Sequence, residues 1–275
     1  MSARVLSPAE AERIGGRSGR PPAAMIVLAA CGVLFVALPL IGLLIRAPWG
    51  SARSILVSPV ALDALRLSLI VSLSATALAL LLGFPLAWIL ARVPFTGSSV
   101  VRALVTLPLV LPPVVAGVAL LTALGRRGLV GTQLARFGVL LPFSTGGAVV
   151  AAAFVAFPLL VLTVEGGLRS LDPRLEQAAA TMGASRWYVL RRVTLPLIRT
   201  PLIAGLVLAW ARALGEFGAT ITFAGNLRGR TQTLPLAVFE AGQSDPGAAI
   251  VLSVLLVVLS FGVLVVLRGR FLNTR

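Results

Sequence analysis

Arg212, Glu216 and Thr220 stand four residues apart in an otherwise apolar segment, Thr200 to Phe223. On a helix they put a cation, an anion and a hydroxyl on one face. A charge inside a membrane span costs about 2.5–3.5 kcal/mol on insertion scales, so it faces protein or water and takes a partner. Arg212 and Glu216 can pair along the helix. Two roles are open: a self-neutralising structural pair, or the wall or gate of a polar path. In the second, Arg212 attracts an anion, and Thr220 and Thr222 hydrogen-bond it. Ala211, Gly215 and Ala219 form a parallel small-residue seam that lets another helix approach closely. Much other chemistry is excluded. The chain has no histidine, one cysteine (Cys31), and 24 basic residues that are all arginine. Histidine triads, imidazole relays, thiolate clusters, lysine Schiff bases and a phosphate-loop lysine are therefore impossible. If ATP is used, another subunit hydrolyses it.

The elements that carry these residues are membrane helices. Hydrophobic residues make up 58% of the 275 positions and charged residues only 12%, against about a quarter charged in soluble domains. Uncharged runs near the roughly 20 residues of a span are Ala23 to Ile45, Leu67 to Ala91, Ala103 to Gly125, Gly146 to Val164 and Gly247 to Leu267. Thr200 to Phe223 makes a sixth. The first run follows Arg13, Arg17 and Arg20 but is long for a cleaved signal, so it reads as a retained helix. The expectation is an all-α integral membrane protein of about six transmembrane helices. With the N-terminus inside, fifteen arginines fall in internal segments and seven in external loops, with Arg66 and Arg212 in or beside spans. The positive-inside rule then predicts cytoplasmic N- and C-termini. The net charge of +15 reads as topology, not as a nucleic-acid surface. The expected organisation is a cytoplasmic tail (1–22), a first helix with its external loop (23–60), a transmembrane domain (61–268) and a short cytoplasmic tail (269–275).

Prolines interrupt the spans at Pro39, Pro85 and Pro158, and most densely at Pro108, Pro112 and Pro113. Freed carbonyls at such kinks are tolerated where protein or a wet cavity satisfies them. The cluster either lines a pathway or is a packed kink. Between the fourth and fifth spans lies a polar cytoplasmic loop, 170–198. Asp172 is a good helix cap and Pro173 suits the first helical position. Leu175, Ala178, Ala179 and Met182 share a face, and Gly183 can end the helix left-handed. A second helix can start from Ser185 and end at Leu195-Pro196. Two short helices across a sharp turn form a knob for a partner's groove, with Arg186, Trp187 and Tyr188 at its rim. The other reading is a helix pair lying among lipid headgroups.

The segment from Glu176 to Pro196 resembles the signature loop of permeases in ABC importers, E-A-A-x3-G-x9-I-x-L-P. Gln177, Ala178 and Ala179 fill its opening, Gly183 its glycine, Val193 the isoleucine position, and Leu195-Pro196 its end. Gln177 departs from the expected glutamate, and Glu176 stands one position earlier. The resemblance implies the type I importer permease fold. It also implies a coupling loop docked on a separate ATPase subunit, which holds the ATP and Mg, while this chain binds no cofactor. "LGEFGATITFAGN" and "TQTLP", with "LPLVLPPVVAG" and "GRRGLVG", are similar to the molybdate-type branch, close to sulfate and thiosulfate permeases. That branch implies a homodimer in membrane lipid, an extracytoplasmic molybdate-binding protein, and molybdate, possibly with tungstate, as substrate. Competing classes are a sulfate or thiosulfate permease, a secondary oxyanion transporter and a membrane scaffold. No internal repeat or titratable relay supports the secondary transporter.

Overall fold

The computed structural model describes residues 22–271, without side-chain detail in the final turns of the last helix. The expected tail before residue 22 and the last four residues lie outside the described residues, as do Arg4, Arg13, Arg17, Arg20 and Arg275. Every regular element among the described residues is helical.

The chain divides into two units, Met1–Arg46 and Ala47–Arg275. In the first, α1 (Ala23–Arg46) carries Pro39 without breaking. Its mean hydropathy is 2.7, and none of its most apolar window is buried. A helix apolar all round belongs in lipid or against other spans.

The second unit begins with α2 (Trp49–Leu56) and α3 (Pro59–Arg92). Ser58 caps α3 by accepting from the Ala61 N–H, with Pro59 at the first position. Its 34 residues reach about 50 Å at 1.5 Å per residue, well past the expected Leu67–Ala91. Next come α4 (Ser98–Val110), α5 (Pro113–Leu124), α6 (Gly131–Arg136) and α7 (Thr145–Ser170). Residues 170–198 hold α8 (Pro173–Thr181) and α9 (Arg186–Leu197). Then follow α10 (Arg199–Leu214), α11 (Gly218–Phe223), α12 (Leu234–Ser244) and α13 (Pro246–Phe271).

Three helices, α1, α3 and α7, are each long and apolar enough to cross a membrane, and the bent pair α9–α10 gives a fourth candidate. The expected span Gly247–Leu267 lies within the continuous helix α13, whereas two other expected spans are interrupted. Ala103–Gly125 is two helices separated at Leu111-Pro112, because Pro112 and Pro113 cannot donate back into α4. Thr200–Phe223 is interrupted at Gly215–Phe217, so the seam Ala211, Gly215, Ala219 is not continuous. Ala219 is buried but Gly215 is exposed.

Close packing lies elsewhere. The main core joins α3, α7 and α10 through small side chains, among them Ala75, Ala79, Ala152, Ala156, Ala209 and Ala213. Lipid gives no hydrophobic drive for helices to associate, so small residues and tight van der Waals contact hold them. A second cluster joins α5, α7 and α11 through Ala116, Leu120, Ala151, Val155, Ala219 and Phe223. Here the two interrupted spans meet. A Cβ on Gly218 would lie 2.5 Å from the Pro113 Cβ, and one on Gly117 2.5 Å from the Thr222 Cβ. Only hydrogen fits at either contact. Gly218→Val is therefore expected to lower the detergent unfolding midpoint by the equivalent of about 1–3 kcal/mol of overpacking, read by a thermal-shift assay on the purified chain.

Candidate functional site

The break between α10 and α11 is organised by one carboxylate. Glu216 Oε2 accepts from Arg212 Nη1 at 2.7 Å, and its Oε1 accepts from the Ala219 N–H at 2.8 Å. Helix starts leave N–H groups without intrahelical acceptors. Glu216 satisfies one of them while neutralising the cation at the end of α10. Its side chain is 2% exposed, whereas Arg212 is 30% exposed. The accessible part of the pair is thus the guanidinium. Thr220 is buried on α11, and the Thr222 hydroxyl donates to the Gly218 carbonyl at 2.8 Å. Arg212, Glu216 and Thr220, expected along one face, and Thr222 therefore lie at one interrupted helix, which packs against Pro113. Pro108 is not with them. It is buried and lines an apolar cleft of about 440 Å³ with Leu78, Leu104, Leu120 and Phe154.

The loop has two opposite faces. Asp172 caps α8 by accepting from the Arg174 N–H at 2.9 Å, and Ser185 caps α9 by accepting from the Tyr188 N–H at 3.2 Å. Between them Gly183 has φ +85°, the left-handed turn that glycine adopts without Cβ strain. Gln177, Ala178, Gly183, Arg186, Trp187 and Pro196 are exposed, Leu195 is half-buried and Ala179 is buried. Met182 and Tyr188 join Ala179 and Gly183 around an open concavity. The Arg191 guanidinium lies 5.7 Å from the centre of the Trp187 ring, which steadies that aromatic at the rim. Glu176 points the other way. It lies 3.1 Å from Arg92 Nε and accepts from the Thr194 hydroxyl at 2.7 Å.

The second loop helix does not end at Leu195-Pro196. Residues Leu190–Thr194 widen into a π-turn, because the Pro196 ring crowds the carbonyl four residues back. The helix then runs on to Leu197 and bends by 75° into α10 around buried Ile198.

Residues 83–275 match the family of binding-protein-dependent transport system inner membrane components. The chain belongs to this family. The permease is 46% identical to the molybdenum transport system permease protein ModB of Mycobacterium tuberculosis, over 84% of this chain and 88% of that one. It is 48% identical to the ModB of Escherichia coli K12, over 67% and 81% respectively. It is 36% identical to that organism's sulfate transport system permease protein CysT, over 81% and 82%. Among solved structures, a bacterial alginate ABC transporter in complex with an alginate pentasaccharide-bound periplasmic protein contains a chain of the same fold. That chain has TM-score 0.71 and 19% identity, over 96% of the permease and 98% of the matched chain. The protein is thus a multi-pass inner-membrane permease.

The permease holds a second buried carboxylate that its sequence pattern conceals. Glu165, 5% exposed, accepts from Arg102 Nε at 2.7 Å and lies 3.2 Å from Arg169 Nη2. Arg102 also donates to the Leu90 carbonyl at 2.8 Å, joining α4 to the end of α3. Glu165 follows the apolar run Gly146–Val164 directly and reads there as its boundary. The i, i+4 spacing of Glu165 and Arg169 was the available signal; Arg102 is distant in sequence and could not be found. The "TQT" stretch is structural. Thr231 accepts from the Leu227 N–H, Gln232 donates to Glu240 and the Leu234 N–H donates to Ser68 Oγ at 2.7 Å. These bonds fold residues 224–233 onto α3 and α12.

Glu216→Ala removes both bonds and is expected to destabilise by about 1–3 kcal/mol, the scale for leaving the buried Ala219 N–H without its acceptor, since the Arg212 guanidinium left behind is partly accessible. Glu216→Gln keeps an acceptor for Ala219 and should fall between the two. Unfolding midpoints of the three proteins in one detergent give the order.

Proposed function

We propose that the permease carries molybdate, and tungstate through the same tetrahedral oxyanion chemistry, as the membrane subunit of an ATP-driven importer. The observation that carries the substrate is the contrast between two relatives from one organism. Identity is 48% with the molybdenum permease and 36% with the sulfate permease. Sulfate or thiosulfate is the second reading, since the sulfate permease also matches over 81% of the chain, at lower identity.

The working complex has two copies of this chain, two ATPase subunits and one extracytoplasmic binding protein. Both termini and the loop 170–198 lie in the cytoplasm, as the arginine distribution supports. The binding protein captures the anion, so the pathway needs only weak contacts. ATP with its Mg is bound and hydrolysed on the partner subunits. Their closure moves the coupling loops and opens the path outward; release of nucleotide returns it inward. This chain makes and breaks no covalent bond.

The exposed face of Ala178, Gly183, Met182, Trp187 and Tyr188 meets the ATPase. Thrust on it passes along α9, through the bend at Ile198, into α10 and the Arg212–Glu216 break. Arg212 attracts the passing oxyanion while Glu216 fixes its position and prevents the bare cation from trapping the anion. Pro112 and Pro113 allow α5 to stay packed on α11 as this region opens.

Competitive uptake of molybdate, tungstate and sulfate into vesicles holding the complete complex tests the substrate. Molybdate should be taken up and tungstate should compete at similar concentrations, with sulfate at least about 100-fold weaker, a gap of roughly 3 kcal/mol. Sulfate uptake undiminished by molybdate would overturn the reading, and uptake without the ATPase subunit would return the secondary transporter. For the loop, a Cβ at Gly183 meets nothing within 4 Å, so Gly183→Asp bears only a left-handed backbone cost of about 1–2 kcal/mol. The new carboxylate sits on the docking face. Stimulation of ATP hydrolysis by loaded binding protein should be lost while the spans stay folded.

A further inference from the structure

Glu176 leads away from the docking face. Gln177 and Ala178 beside it are exposed, but its own side chain is only 19% exposed and meets two other elements, α3 and α9. Oε2 lies 3.1 Å from Nε of Arg92, the last residue of the long helix α3. Oε1 accepts from the hydroxyl of Thr194, which is 1% exposed and closes the π-turn of α9. Arg92 Nη1 in turn reaches the carbonyl of Leu171, where the loop begins, at 3.5 Å.

Arg92 depends on this carboxylate. Its side chain is 12% exposed, and Nε and Nη2 are buried without a hydrogen bond. The Nε contact with Glu176 is off the N–H axis, so it holds by charge. A buried guanidinium with a single counter-ion is costly to orphan. The π-turn has a matching role. By widening α9 ahead of Pro196, it changes the rotation of the helix at Thr194, whose hydroxyl meets α8.

We propose that Glu176 is a positioning residue for energy coupling: with Arg92 and Thr194 it latches the cytoplasmic loop onto α3 and α9, and it does not contact the ATPase. The proposal rests on the coupling role given to this loop under the proposed function. An unlatched loop would hinge at Leu171 and absorb the ATPase stroke as local tilt. The latched loop transmits the stroke to α3 directly and to α10 through the bend at Ile198. Gln177, at the position where the family pattern has glutamate, is exposed at the edge of the same cleft, and Glu176 supplies the charge that meets Arg92.

The test is a double-substitution cycle in proteoliposomes holding the complete complex: this chain, its ATPase subunits and molybdate-loaded binding protein. The readouts are molybdate taken up per ATP hydrolysed and retention of the ATPase subunit on the purified chain. Glu176→Gln and Arg92→Gln are each expected to lower the uptake ratio about ten-fold, and the double variant no further, as for two halves of one contact. ATPase retention should be unchanged. The exchanged pair Glu176→Arg with Arg92→Glu should recover most of the ratio. Additive losses, no recovery in the exchanged pair, or loss of ATPase retention confined to Glu176→Gln would overturn the latch. If the single variants fail to reach the membrane, the exchanged pair decides alone: restored insertion and coupling support the latch, and their absence overturns it. A wild-type complex that hydrolyses ATP but takes up no molybdate would instead overturn the substrate assignment. The latch is then scored on ATPase stimulation by binding protein in the same variants.

Discussion

The two hydrogen bonds accepted by Glu216, from the Arg212 guanidinium and from the Ala219 N–H, are the interaction on which the break between α10 and α11 depends. Within a membrane, an interrupted helix exposes backbone N–H groups and a lone charge that lipid cannot solvate. One carboxylate answers both demands. With it in place, α10 can stop, α11 can restart at a different angle, and Arg212 can remain charged and accessible. Without it, the break would be an energetic defect, and the continuous helix read from hydropathy would be the better structure.

The same economy recurs at the opposite end of the spans. Glu165 holds Arg102 and Arg169, and Glu176 holds Arg92 and Thr194. Each of these carboxylates bridges segments that are distant in the chain. The alanine-lined contacts of α3, α7 and α10 supply close approach but little direction, because small apolar side chains slide past one another easily. Charged contacts at the ends add direction. Under the proposed coupling role, a stroke received by the loop would reach α3 and α10 as movement rather than as compression of a soft interface. The glycine contacts of Gly117 and Gly218 keep the two interrupted spans together during such movement.

Much of this was legible beforehand where the cause is local. Asp172, Pro173, Gly183 and Ser185 act on their own neighbours, so the two loop helices and the left-handed turn follow from residue type alone. The Arg212–Glu216 pair is also local, four residues apart on one helix. What was misread is local propensity overridden by contact. α9 does end next to Pro196, at Leu197, but the π-turn ahead of it and the 75° bend after it depend on how Thr194 and Ile198 are packed. Gly215 does not continue a packing seam, because Glu216 finds the Ala219 N–H and breaks the helix there. Glu165 was hidden because its main partner, Arg102, lies 63 residues away in the chain.

The sequence by itself determined an all-helical membrane permease with a polar loop built to dock a partner. Hydropathy, arginine placement and capping chemistry are properties of single segments and need no fold to be read. Only the tertiary structure decided that the two proline- and glutamate-broken spans face each other. It alone decided that Glu176, and not the neighbouring Gln177, meets Arg92 and Thr194. Those choices depend on which helices lie side by side, and a buried charge takes its partner from whatever packing brings within about 3 Å.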